Sequence, residues 1–142
     1  MIIMGVDYGD VRTGLSVSDK TGFLASPVTV ITQRNADKLI DEICKYISEL
    51  NPELLVVGLP KNMDSTEGER AGKCREFAKN LSEKSGIPCV MRDERLSTVS
   101  AHTALSGTNV RGKKRKEIVD AVSAVMILQD YLDYIKNISP EE

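Results

Sequence analysis

An unbroken apolar run, Ile2-Ile3-Met4-Gly5-Val6, delivers a single carboxylate, Asp7, into a glycine-containing turn, and this stretch constrains the chain more than any other. Such a run lacks the polar/apolar alternation of a half-wet strand, so it belongs in the middle of a sheet covered on both faces. Asp7 then stands where the strand leaves the core. Gly9 lets the backbone reverse, and Arg12-Thr13-Gly14-Leu15-Ser16-Val17-Ser18 alternates well enough to return as an antiparallel neighbour. Taken alone, Asp, Gly and Asp in a hairpin turn are ordinary turn residues. Chemistry enters only if other acids reach the same place.

Beyond the hairpin the patterns of strand and helix follow one another. Asp19-Lys20-Thr21-Gly22 is a turn, and residues 23–31 read as a third strand whose Pro27 places it at a sheet edge. With Asn35 as N-cap, apolar residues recur at Ala36, Leu39, Ile40, Ile43, Ile47 and Leu50, the stripe of an amphipathic helix ended by Asn51-Pro52. Leu54-Leu55-Val56-Val57 is a second buried run, and Gly58-Leu59-Pro60 opens a polar loop, KNMDST. Thr66 with Glu69 forms a capping box, and Ala71, Cys74, Phe77, Ala78 and Leu81 keep helical spacing until Gly86. Residues 87–91 are a short strand running into Arg92-Asp93-Glu94-Arg95, and a helix follows toward Leu105 and Gly107. The last helix begins after a basic run at 111–116 and is apolar almost all round through Leu128, with Asp120 the exception. A chain of 142 residues fits one domain over 1–138, with the tail fraying beyond Ile135 and at 139–142.

Strands that alternate with helices imply right-handed parallel crossovers, and open sheets of this kind bind ligands beyond the carboxyl ends of their parallel strands. Asp7 follows the first strand, the polar loop follows the fourth, and Asp93-Glu94 follow the fifth. With the fourth strand between the other two, Asp7 and Glu94 start about 10 Å apart and must lean inward. Asp120 neighbours Lys116, Ser123, Ala124 and Ile127 on its helix, and the small Ser123 and Ala124 let that backbone approach the sheet end. Carboxylates gathered this way repel one another unless a cation neutralises them. Mg²⁺ is the natural cation, since it takes oxygen ligands and binds through one or two carboxylates with substrate phosphates. Two such ions about 4 Å apart activate a water and stabilise a leaving phosphate oxygen, without a Cys, Ser or His nucleophile.

A formal charge of -2 gives no overall positive field, so a nucleic acid must be held locally. Arg111, Lys113, Lys114, Arg115 and Lys116 fall within six positions just before Asp120, where phosphates drawn to them arrive beside the acids. Positive charge at a helix start opposes the helix dipole, so the run serves something other than stability. Arg12 and Arg95 add two further phosphate clamps. Phe23, Phe77 and four tyrosines are too few for base stacking to be the main mode of binding. Cys44, Cys74 and Cys89 read as core thiols of a reducing cytoplasm, and with the lone His102 they make no four-ligand zinc set. No basic leader precedes the first strand and no stretch approaches a membrane span, so the expectation is a soluble cytoplasmic protein without a membrane partner.

Four segments carry a resemblance: DYGDVRTGLSVSD at 7–19, VVGLPKNMDSTEGERA at 56–71, RDERLST at 92–98 and RGKKRKEIVDAVSAVMIL at 111–128. In this order and spacing they resemble the YqgF/RuvX family of Holliday junction resolvases, also described as the nuclease that processes the 5′ end of pre-16S rRNA. The resemblance implies an α/β, RNase H-like three-layer fold with a five-stranded mixed sheet in the order 3-2-1-4-5, flanked by helices. It also implies that Asp7, Glu94 and Asp120 are the catalytic, metal-binding acids for Mg²⁺ or Mn²⁺. Two positions depart from the pattern. Ser123 stands three residues after Asp120, where some related resolvases carry a second acid, and Val11 replaces a basic residue that many members place before the equivalent of Arg12.

These departures rank cleavage of structured RNA, within ribosomal precursor particles, above cleavage of four-way DNA by a homodimer. The chain is expected to act as a monomer or a homodimer. A non-catalytic nucleic-acid-binding protein is a third reading, marked by a steep salt dependence and no turnover. The D-x-G hairpin also resembles the phosphate loop of actin-like ATPases, which need two such lobes where this chain has length for one.

Overall fold

A computed structural model describes residues 1–59, 68–93 and 112–138, and within the last helix the side chains from 121 to 136. The elements are β1 (Ile3–Asp7), β2 (Arg12–Ser18), β3 (Ala25–Thr32), α1 (Ala36–Leu50), β4 (Leu54–Leu59), α2 (Glu69–Ser85), β5 (Cys89–Asp93) and α3 (Gly112–Ile138). They build one sheet in the order β3-β2-β1-β4-β5, as the resemblance implied. β1 is central, antiparallel to β2 with Asp7 opposite Gly14, and parallel to β4 with Val6 opposite Val57. β5 continues the parallel half beyond β4. On the other side β3 closes the sheet, and its register slips where Pro27 faces Ser16. A bulge at an edge accommodates the residue that has no N–H to give.

Alternation along the buried strands divides the core in two. Met4, Val6, Leu15, Leu55 and Val57 face α1 and α2, where Leu39, Ile43, Phe77 and Leu81 cover them. Ile3 and Val56 face the other way, against Ile127, Leu128 and Leu132 of α3. The sheet is therefore the middle of three layers. Asn35 caps α1 by accepting from the Lys38 amide at 2.9 Å, and Asn51 ends it in the left-handed conformation. Along α2 the buried residues are the expected Ala71, Cys74, Phe77, Ala78 and Leu81.

Gly5 sets how closely α3 approaches the sheet. A Cβ on it would lie 2.4 Å from Ser16 Oγ and 2.9 Å from Leu128 Cβ. Ser16 in turn donates to the Ala124 carbonyl at 2.7 Å. The small residues thus bring the α3 backbone onto β1 and β2, at the middle of the sheet and not only at its end.

Several element boundaries differ from the sequence-based expectation. β5 occupies Cys89–Asp93 and not 87–91, because the Pro88 carbonyl receives the Leu55 amide and parallel pairing starts at Cys89. The same ladder carries β4 through Gly58 and Leu59, which face Arg92 and Asp93. Glu69 opens α2 behind Gly68, which makes no side-chain cap, so Glu69 is not the third residue of a capping box. Thr66 itself lies outside the described residues.

α3 already includes the basic run from Gly112, and it continues to Ile138 instead of fraying at Ile135. Lys and Arg are good helix formers and extend a helix whose later turns are packed. Buried Leu132, the Tyr131–Tyr134 ring contact and the Lys136–Asp133 pair at 3.3 Å hold its last turns. The expected helix near 95–107, His102 and the tail at 139–142 also lie outside the described residues.

Candidate active site

Parallel pairing aligns the carboxyl ends of β1, β4 and β5 on one edge. One residue beyond the row Val6, Val57 and Met91, these strands carry Asp7, Gly58 and Arg92. Asp7 is half-buried, and by strand alternation it shares the α3 face with Ile3 and Gly5. Arg12 stands on that same face, two residues before Gly14, the partner of Asp7. Arg92 is engaged with α3, donating to Asp130 at 2.6 Å with its guanidinium 4.6 Å from the Tyr134 ring centre.

The polarity of α3 follows from its contacts. Gln129 accepts from the Ala25 amide at 2.9 Å and donates to the Phe23 carbonyl at 3.0 Å. Ala25 pairs with Ser18, whose hydroxyl receives the Ile3 amide, so this part of α3 lies by the start of β1. Ala124 lies over Gly5, further along β1, and Asp120 comes four residues earlier in the helix. The backbone of α3 therefore runs from the start of β1 toward its Asp7 end as the residue number falls.

Lys113, Lys114, Arg115 and Lys116 occupy the opening turns of α3, a start that bears no acidic residue. Glu94, Arg95 and Arg111 lie outside the described residues. Glu94 follows Asp93, which ends β5 opposite Leu59. Among the described residues no three His, Cys, Asp or Glu side chains form a group that could hold a metal. The donor types at 7, 94 and 120 are all carboxylates, hard oxygen ligands of the kind divalent Mg²⁺ and Mn²⁺ accept.

The turn after Asp7 is fastened from two sides. Gly9 donates to Thr13 Oγ1 at 3.2 Å, and a Cβ on Gly9 would collide with the Arg12 carbonyl at 2.1 Å. From α2, Arg70 donates to the Tyr8 carbonyl at 2.5 Å and to Asp10 Oδ1 at 2.6 Å, with its guanidinium 5.0 Å from the Tyr8 ring centre. The Tyr8 ring stacks on Phe77, centroids 4.1 Å apart and planes within 5°. Burial pushes the Tyr8 phenol above its usual pKa against the opposing pull of Arg70. No local pattern in the sequence marks Arg70 or Tyr8 for a role. The available signal was Arg70 inside the 56–71 motif together with a second turn acid, Asp10.

Among the described residues no helix is long and apolar enough to cross a membrane. Residues 1–134 match the RuvX family, described as Holliday junction resolvase. A Clostridium novyi (strain NT) protein named "Putative pre-16S rRNA nuclease" is 44% identical over 135 residues, 95% of this chain and 100% of its own. A protein of the same name from Halothermothrix orenii is 43% identical over 134 residues, covering 94% of this chain and 96% of its own. In shape the chain is similar to Thermus thermophilus RuvC in complex with Holliday junction substrate, at a TM-score of 0.61 and 13% identity, over 98% of this chain and 97% of that one. The Fowlpox virus resolvase in complex with Holliday junction DNA gives 0.58 at 13% identity, over 95% and 99%. These likenesses show the fold, which is RNase H-like.

Proposed function

Because this chain belongs to the RuvX family, we propose that it is a metal-dependent nuclease that hydrolyses phosphodiester bonds to mature the 5′ end of pre-16S rRNA. Relatives named for that reaction match it over nearly their whole length, which favours RNA over the DNA junction of the family description. Asp7, Glu94 and Asp120 are the acids that hold Mg²⁺ or Mn²⁺ in this proposal.

The placement of α3 over Gly5 is the observation that carries it. From Gly5 to Asp7 the strand advances about 7 Å. From Ala124 back to Asp120 the helix advances about 6 Å in the same direction. These equal advances support a reading in which Asp7 and Asp120, distant in the chain, share the sheet edge where β5 ends just before Glu94. A bound divalent ion supplies an acidified water and positive charge for the leaving oxygen. Asp7 contributes a carboxylate oxygen from the end of β1, where it pairs with Gly14 of β2. Arg12, on the face of Asp7, binds phosphate, as do Arg95, Arg111, Lys113, Lys114, Arg115 and Lys116. Such contacts orient a backbone without reading its bases. Ser123, buried one turn after Asp120, supplies no further carboxylate. The working unit is a single domain over 1–138, cytoplasmic, acting on structured RNA in a ribosomal precursor particle as a monomer or homodimer.

Incubating a pre-16S rRNA fragment with the protein and Mg²⁺ or Mn²⁺, in competition with a four-way DNA junction at fixed salt, tests this. Preferred cleavage of the RNA, lost in Asp7→Asn, is the expected result. Preferred cleavage of the junction contradicts the RNA substrate, and wild-type cleavage by Asp7→Asn contradicts the site.

A further inference from the structure

We infer that Arg70 is a positioning residue for Asp7, acting through the backbone of Tyr8. This rests on Asp7 being a metal-binding acid, as proposed above. Asp7 itself pairs with Gly14 across β1 and β2. On its carboxyl side the next carbonyl, that of Tyr8, accepts from Arg70 at 2.5 Å. The same guanidinium reaches Asp10 at 2.6 Å and lies 5.0 Å from the centre of the Tyr8 ring, whose stacking partner is Phe77. One side chain at the start of α2 therefore grips the residues directly after Asp7 by a carbonyl, a carboxylate and a ring face. Its planar fork makes this possible, since a lysine ammonium has no second donor edge to bridge both oxygens in one plane. The grip falls on the backbone after Asp7, and pairing with Asp10 offsets the positive charge that would otherwise repel a cation at Asp7. Nothing in the nuclease chemistry proposed above uses Arg70 directly.

The test is Mn²⁺ binding by isothermal titration calorimetry on wild type, Asp7→Asn and Arg70→Met, without nucleic acid, with far-UV circular dichroism recorded on each. Supporting outer-sphere partners typically contribute 10–100-fold to metal affinity. Arg70→Met is expected to weaken Mn²⁺ binding about tenfold at an unchanged dichroism spectrum. Arg70→Lys, which keeps the charge and one bond, is expected to recover part of that loss. Wild-type affinity in folded Arg70→Met overturns the inference; should that variant lose its fold, Arg70→Gln replaces it, and the same outcome has the same meaning. Mn²⁺ binding that depends on Asp7 but not on Arg70 contradicts this inference alone. Binding indifferent to Asp7, or no binding by wild type, contradicts the metal site as well.

Discussion

Ser16 Oγ donates to the carbonyl of Ala124 at 2.7 Å, joining residues 108 apart in the chain. That bond, laid over Gly5, fixes the height and direction of the long helix on the sheet. The position of Asp120 along the sheet depends on it.

Gly5→Ala tests this packing. The added methyl meets Ser16 Oγ, Leu128 Cβ and the Ala124 carbonyl at 2.4, 2.9 and 3.1 Å, none of them the yielding end of a long side chain. Overpacking of this kind costs about 1–3 kcal/mol. Urea denaturation is expected to show that loss at an unchanged m-value, and cleavage is expected to fall because the helix must lift. Unchanged stability and activity contradict the close approach.

Cys89 gives the fold an alkaline limit. Burial raises its thiol from 9.0 to about 11, with Ser82 opposing. Between those values the folded chain keeps a proton that the unfolded chain has lost, so stability falls as pH rises from 9 toward 11 and is unaffected by this group below 9. Urea midpoints at about pH 8, 9.5 and 10.5 are expected to decline less steeply in Cys89→Ala than in wild type. An identical slope in both contradicts the burial of the thiol.

Replacing Lys113, Lys114, Arg115 and Lys116 by alanine is expected to weaken RNA binding across sequences alike. Each side chain that no longer reaches a phosphate lowers the slope of log affinity against log salt by roughly one. Filter binding between about 50 and 200 mM salt measures it. A variant with the wild-type slope removes the run from the interface.

Much of this fold is written in local pattern. Residues 3–6 of the apolar run, the stripe of α1 from Leu39 to Ile47 and the stripe of α2 from Ala71 to Leu81 each match what the structure buries, while Ile2 is only half-buried. Strand and helix boundaries were less legible because they are set by partners. β4 extends through Gly58 only because β5 runs alongside it, and α3 reaches back to Gly112 as a good helix-forming segment ahead of its packed turns. At the site, Asp7 is conspicuous as an acid ending a buried strand. Arg70 is not, since its partners Tyr8 and Asp10 are 62 and 60 residues away and only the fold brings them near. The small residue opposite Ala124 was visible as Gly5, but its meaning required knowing which helix crosses there.

In the proposed site, residues 7 and 120 converge with Glu94 on a divalent cation. Paramagnetic broadening of backbone amide resonances by substoichiometric Mn²⁺ measures this convergence directly. The amides of Asp7, Glu94 and Asp120 are expected to broaden together, while those of Phe23 and Gln129 near the start of β1 stay sharp. Broadening confined to one of the three acids, or strongest near Phe23, contradicts it.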